Sequence, residues 1–388
     1  MQGEKTMNKK EVLEIRKQFT PANCAITRIA GCYVDHEKEK RMISRNAFLS
    51  LPEEVAFKYF DIFKRTLSGS LGKNLLNMEF PTEQESPDGK QEFLMRLRKS
   101  RLTDIELLDE FYDKIIESYD YAENYYIVLI HAMYDIPGKS SDGTEMYDAS
   151  DSVYEFLLCS ICPVQLSKAG LTYNVEHDQI EDRIRDWIVD KPDKGFLFPA
   201  FNDRSADIHS ALYYTKKSAD LQQELINQVL GAEIPKSADE QKESFKYLLQ
   251  DVMNEKLNYE NVRLLHDKLN ELVEEHVEDA EPFEVDKNDV LKILQECVGD
   301  GEELTAYDQY YNKYVGEKGK LLATNIAEMK TFNLRTPNVN IKVDSDRADL
   351  VETKVIDGRP CVVIAVDGII EVNGIDVVTV GKEKNHEV

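Results

Sequence analysis

Tyr125-Tyr-Ile-Val-Leu-Ile-His-Ala-Met-Tyr134 is the stretch that decides the fold. Aromatic and β-branched residues fill it, the composition that favours a strand. Glu155–Val164 is a second run of the same kind, and Pro137–Ser150 between them reads as a long Gly/Ser/Asp loop. Upstream, Ile26–Val34 reads as another strand and His36–Arg41 as a charged turn. Ser50-Leu-Pro52-Glu53 predicts a helix start, with Ser50 as cap, Glu53 reaching back to it and Pro52 in the first turn. That helix carries Val55, Tyr59, Ile62, Phe63 and Leu67 at helical spacing and stops at Ser68-Gly69. Pro81–Lys90 is a polar loop, and Leu102–Tyr119 returns to the helical period.

Downstream, a helix is expected over Asp178–Val189, carrying the single tryptophan, Trp187. Short strands are expected over Gly195–Phe201 and Ile208–Thr215, flanking the polar stretch Asn202–Asp207. From Ser218 to about Lys330 the pattern is helical. Leu221–Leu230 ends at Gly231, and Ser237 with Glu240 forms a capping box. Phe245, Leu248, Leu249, Val252 and Met253 share one face. Asn258 opens a partner helix with Val262, Leu265, Leu269, Leu272, Val273 and His276 on one side, so an antiparallel hairpin with an acidic outer face is expected. His266 and His276 read as packed or rim residues. Over Thr336–Val380, Asp357-Gly358, Asp367-Gly368 and Asn373-Gly374 punctuate β-branched runs, which predicts a small antiparallel meander followed by a frayed tail, 381–388.

The resulting class is α+β: a mixed α/β domain over 7–217, an acidic helical domain over 218–330 and a β meander over 331–380. A chain of 388 residues with 42% hydrophobic content has the means to bury several cores. No apolar run approaches the ~20 residues of a membrane-spanning helix. The first ten residues lack the apolar stretch of a secretion signal, and Met7 offers an alternative start. Six cysteines without regular spacing are read as reduced thiols of a cytoplasmic protein.

Charge is distributed unevenly. Met1–Arg101 holds 19 Lys and Arg against 14 Asp and Glu, a balance of +5, whereas the rest of the chain carries −30. A mildly basic quarter joined to an acidic body points to a polyanionic partner at one end.

Motifs are sparse. Cys159-Ser-Ile-Cys162 is the one CxxC. Its strand-like flanks would send the two thiols to opposite faces, which favours packing over redox or zinc chemistry. Gly69-Ser-Leu-Gly72-Lys73-Asn74 has too few residues between its glycines for a Walker loop and Asn74 where a hydroxyl is needed. Lys73, with Lys64 and Arg65, still suits a phosphate, against the plainer reading of a helix-ending turn. Arg96, Arg98, Lys99 and Arg101 form the densest basic cluster, fit for phosphate contacts or for a solvated helix face. Asp203, Asp207 and His209, with Arg204 and Ser205, are the most catalytic-looking grouping, although turns use the same residues. No metal or dinucleotide signature appears, so no cofactor is expected.

Met7-Asn-Lys-Lys-Glu-Val, Ile26-Thr-Arg-Ile, Gly31-Cys-Tyr-Val, Thr66–Leu75, Cys159-Ser-Ile-Cys-Pro-Val, Phe198-Pro-Ala-Phe and Asp349–Gly358 together resemble a family of uncharacterised proteins widespread in clostridia and related gut bacteria. That resemblance covers nearly the whole chain from Met7 and implies no activity. A second resemblance lies in the order of parts. An α/β start, Leu230-Gly-Ala232 before acidic helices and Asn338–Val343 opening the strands are similar to large nucleoid-associated bacterial proteins. It implies a non-catalytic protein near the nucleoid, meeting nucleic acid or a protein bound to it through the basic quarter. The alternatives are a hydrolase using Asp203, Asp207 and His209, and a protein-binding scaffold. A β segment of at most about five short strands needs cover, so a homodimer is expected.

Overall fold

The strands predicted at Tyr125 and Glu155 are the middle of a sheet. The computed structural model describes residues 6–139, 145–299, 302–366 and 368–377, and the chain divides into two compact units. The first comprises Met1–Gln241 with Asp279–Pro282. Its elements run α1 (Lys9–Arg16), β1 (Ile26–Val34), β2 (Lys40–Ala47), α2 (Glu53–Thr66), β3 (Leu75–Glu79), α3 (Lys90–Lys99), α4 (Ile105–Ser118), β4 (Tyr125–Lys139) and β5 (Glu145–Leu166). Then follow β6 (Leu171–Asn174), β7 (Gln179–Asp182), β8 (Trp187–Val189), β9 (Lys194–Phe198), β10 (Ala200–Asn202), β11 (Ser205–Asp207), β12 (Ser210–Thr215) and the short α5 (Gln223–Leu225).

Among the described residues an eight-stranded antiparallel sheet runs β2-β1-β4-β5-β9-β12-β3, with β8 pairing off this path to the end of β5. Alternation along β4 feeds two cores. Tyr125, Ile127 and Leu129 join Leu157, Cys159 and Ile161 of β5 beneath α3 and α4, while Tyr126, Val128 and Ile130 join Phe156 and Leu158 beneath α1 and α2. A strand covered on both faces must be apolar at nearly every step, hence the run Tyr125–Ile130 in the sequence. Each such side chain contributes about 1.5–3 kcal/mol by leaving water. α4 shows the helical counterpart: Asp104 caps the amides of Glu106 and Leu107, and Leu108, Phe111, Tyr112, Ile115 and Ile116 form one buried stripe.

Three expectations for this unit are corrected. Asp178–Val189 is not a helix but contains β7 and β8. Ile180, Ile184 and Trp187 are 62, 83 and 57% exposed, so the helical spacing had no core to bury against, and pairing to β5 prevails. Ser50 does not cap α2. Its hydroxyl donates to the Ala47 carbonyl at 2.7 Å, and Pro52 occupies the N-cap without a side-chain bond. Within Pro137–Ser150, the described residues extend β4 and β5 rather than forming a loop, and 140–144 lie outside the described residues.

The second unit comprises Lys242–Glu278 with Phe283–Val388. α6 (Ala238–Met253) enters it and α7 (Tyr259–Glu275) follows; then come β13 (Glu284–Val285), α8 (Lys287–Val298), α9 (Tyr307–Tyr314), β14 (Leu321–Leu322) and α10 (Ala323–Ile326). Leu248, Val252, Leu265, Leu269, Val290, Leu294 and Tyr311 share its core. Ser237 and Glu240 do form the capping box before α6. The remaining strands are β15 (Thr331–Arg335), β16 (Asn340–Asp344), β17 (Val351–Ile356), β18 (Arg359–Ile364), β19 (Ile370–Val372) and β20 (Ile375–Val377). They pair as three separate two-stranded hairpins, not as one meander. Asp357-Gly358 and Asn373-Gly374 sit at φ of 49° and 78°, and 51° and 82°, the left-handed turns that their sequence predicts. Asp367 and the expected tail lie outside the described residues. Among the described residues no helix is long and apolar enough to cross a membrane.

Candidate functional site

α2 ends in Lys64-Arg65-Thr66, and the chain then turns through Gly69–Asn74 into β3. Gly69 and Gly72 hold φ of +111° and +75°, left-handed conformations that glycine adopts without strain. The amides of Lys73, Asn74 and Leu75 all donate to the Ser70 carbonyl, and Gly72 donates to Leu75. The turn thus consumes these amides internally and does not present them to a phosphate. Its side chains are another matter. Asn74 donates to the carbonyls of Thr215 and Lys216 at 3.1 and 3.4 Å, and Leu75 pairs with Tyr214, beside Arg65. Arg65 and Lys73 are thereby brought to Lys216 and Lys217 at one end of the sheet, with Lys64 next to Arg65 on the last turn of α2. Apart from the half-buried Lys64 these cations are exposed, and among the described residues none of the five has a carboxylate partner. Sequence reading missed Lys216 and Lys217. The register of β3 on β12 is what adds them.

The cluster at the end of α3 belongs to the opposite face of the sheet, since α2 and α3 pack into different cores. It is largely engaged. Arg96 pairs with Glu92 at 3.1 Å and covers the Phe93 ring. Arg98 donates to the Glu155 carbonyl at 3.3 Å, and Arg101 donates from Nε to Glu155 Oε1 at 3.3 Å. Lys99 is exposed. The seven basic residues singled out in the sequence therefore form two surfaces, not one.

Glu155 leads to a connected polar set at the β1–β4 bulge. A bulge in β1 pairs Ile26 with Ala132 and Arg28 with His131, leaving Thr27 as the extra residue. Its Oγ1 lies 2.6 Å from His131 Nδ1 and 3.0 Å from the His131 carbonyl oxygen. His131 Nε2 lies 2.8 Å from Glu155 Oε1, and the imidazole side chain is 0% exposed. Burial holds the imidazole below its ordinary value. The bond to Glu155 acts the other way, and Arg101 and Arg98 reinforce the depression. The ring is therefore neutral at neutral pH. The Glu155 carboxylate, which only accepts, fixes the proton on Nε2 and leaves Nδ1 to accept from Thr27.

The Asp203, Asp207 and His209 grouping is distributed over a hairpin. Asp203 and Arg204 occupy the β10–β11 turn at φ of 51° and 55°. Asp207 accepts from Asn202 and Ser210, both at 2.7 Å, and from the His209 amide at 3.0 Å. The His209 ring meets Glu85 at 2.5 Å, a contact that raises its pKa. Arg204 turns away to Glu14 of α1. Cys159 and Cys162 pair with Leu129 and Tyr126 on β4, on opposite faces, and burial pushes both thiols up. His266 rests against Phe332 and His276 against Phe283. Among the described residues no group of three or more His, Cys, Asp or Glu is arranged to hold a metal ion.

A family described as a domain of unknown function (DUF4317) has a model that matches residues 7–375. No curated protein matches the chain. Neither finding supports the resemblance to large nucleoid-associated proteins.

Proposed function

The chain belongs to the DUF4317 family, a domain of unknown function, and from its own geometry we propose that its first unit binds the phosphate backbone of a nucleic acid. The observation that carries this reading is the convergence of Lys64, Arg65, Lys73, Lys216 and Lys217 at one sheet end without carboxylate partners. Cations without a carboxylate ion pair of their own are available to displace counterions from a polyanion. The formal charge of −25 does not prevent this, because at physiological salt charges beyond about 8 Å are screened. Four of the six unpaired cysteines are buried, which suits a cytoplasmic, reducing setting. A second copy of the chain would cover the half-exposed apolar residues of β18, and a monomeric mass by light scattering removes that part of the proposal.

Fluorescence anisotropy with a labelled DNA duplex tests the reading. Engagement of about three to five phosphates gives a slope of roughly −3 to −4 in log affinity against log salt. Charge reversal of all five cations abolishes the binding, whereas reversal of Lys318 in the second unit leaves it unchanged. Salt-independent retention, or undiminished binding by the five-site variant, ends the proposal.

A further inference from the structure

The surroundings of His131 can accept a second ring proton, because each ring nitrogen faces an oxygen. Thr27 has one hydroxyl hydrogen and faces two acceptors, His131 Nδ1 at 2.6 Å and the His131 carbonyl at 3.0 Å. With a neutral ring that one hydrogen is shared between the two acceptors. With an imidazolium, Nδ1–H donates to Thr27, Thr27 donates to the carbonyl and Nε2–H donates to Glu155, so both ring N–H groups have acceptors. The groups facing the ring are Thr27 and Arg28 from β1, Glu155 from β5 with Tyr154 beside Arg98, and Arg98 and Arg101 from the end of α3.

Glu155 is the carboxylate through which this ring and the α3 cations compete. Its Oε1 is 2.8 Å from His131 Nε2 and 3.3 Å from Arg101 Nε. Arg98 reaches only its main-chain oxygen, and the Arg98 Nε is buried without any partner. A buried guanidinium N–H left unbonded is costly, so Arg98 gains from a rearrangement that gives it an acceptor. We propose that Arg98, Lys99 and Arg101 form a proton-gated anion site: protonation of His131 engages Glu155 as its ion partner and turns the α3 cations toward an external phosphate group. The shorter contact becomes charge-assisted, whereas that of Arg101 is the longer and more exposed one and is the one given up. Linkage requires the converse as well: a phosphate at this site raises the proton affinity of His131. The inference shares a ligand class with the proposed function but none of its residues.

The test is binding of a fluorescein-labelled DNA duplex at fixed salt, from about pH 8 down to about pH 5.5, the low end lying well below the ordinary histidine pKa because burial depresses that of His131. The wild-type chain tightens about fivefold or more on acidification, the usual size of a coupling between two sites. His131→Gln loses that gain. Glu155→Gln, which removes the internal competitor, binds at pH 8 as tightly as the wild type does at pH 5.5. A full acid gain in His131→Gln, or no tightening at pH 8 in Glu155→Gln, overturns the proposal. Melting curves report whether each variant is folded, and should His131→Gln unfold, Glu155→Gln alone decides. The variant reversed at Lys64, Arg65, Lys73, Lys216 and Lys217 separates the two readings. An acid gain that persists without binding at pH 8 upholds this site and isolates the α2 end; binding at pH 8 with no acid gain does the reverse.

Discussion

Arg204 and Glu14 hold the β10–β11 hairpin against α1: the guanidinium donates from Nε at 3.2 Å and from Nη2 at 2.9 Å to the one oxygen Glu14 Oε1. The same oxygen accepts from the Tyr134 hydroxyl at 2.9 Å, which ties in β4. Both members of the pair are about one-fifth exposed, at 19 and 21%, so water replaces the partner poorly. Glu14→Ala should therefore cost about 1.5–3 kcal/mol, the range for hydrogen bonds to a charged group. Urea titration measures it, and a loss below about 0.5 kcal/mol would mean that the pair is solvated like an ordinary surface bridge.

Stability should depend on pH through His131. Its folded pKa is depressed by burial, so the unfolded chain binds the proton more readily. The contribution is fully present above the ordinary value of about 6.5 and is lost as pH falls through that value toward the folded one. The melting temperature of the wild type should drop over this window, and His131→Gln should flatten the drop. Parallel curves for the two proteins would remove His131 from the account.

Gly195 marks the closest approach of β9 to β5 and α2. A Cβ there would collide with the Cys159 carbonyl oxygen and lie 2.6 Å from the Thr66 methyl. Thr66 is itself fixed, donating to Ile62 at 3.1 Å and lying 2.6 Å from the Ser160 hydroxyl. Gly195→Ala should destabilise by roughly 1–3 kcal/mol, the cost of overpacking a filled core. Denaturant midpoints read this directly, and an unchanged midpoint would show that α2 lifts away freely.

Thiol chemistry should divide the cysteines. Cys32, Cys159, Cys162 and Cys297 are buried, and desolvation pushes Cys32 up to about 12. Cys24 and Cys361 are partly exposed, and burial raises Cys24 more mildly. Labelling of the native protein at about pH 8 should modify Cys361 first, then Cys24, and the others only with unfolding, because the thiolate is the nucleophile. Rapid modification of Cys159 or Cys162 in the native state would contradict the packing role of the CxxC.

What was legible in the sequence follows from how locally each feature is encoded. Tyr125–Tyr134 is recognisable because burial on both faces demands apolar residues, with His131 the buried polar exception within it. Cys159 and Cys162 are three apart on a strand, so their opposition follows from the period alone. Asp357-Gly358 and Asn373-Gly374 announce their turns through the backbone they require. The Ile180, Ile184 and Trp187 stripe misleads because spacing says nothing about whether a core lies opposite. The polar set at His131 was not legible at all. Its members lie 104 and 24 positions apart in the chain, and they meet only through the β1–β4 bulge and the β4–β5 register. Lys216 and Lys217 escaped for the same reason, being neighbours of Lys73 across strands rather than along the sequence.

The three hairpins that end the second unit close their ladders within themselves, and this shapes how that region comes apart. Where strands share one sheet, breaking a pair exposes its neighbour and unravelling spreads. Here each turn bounds its own small cooperative unit, so amide exchange should proceed hairpin by hairpin, each with its own opening free energy. A cut at Asp357-Gly358 would sever one ladder and spare the next. The end of this chain is thus segmented in its mechanics: damage to it stays local, and its losses arrive as separate steps.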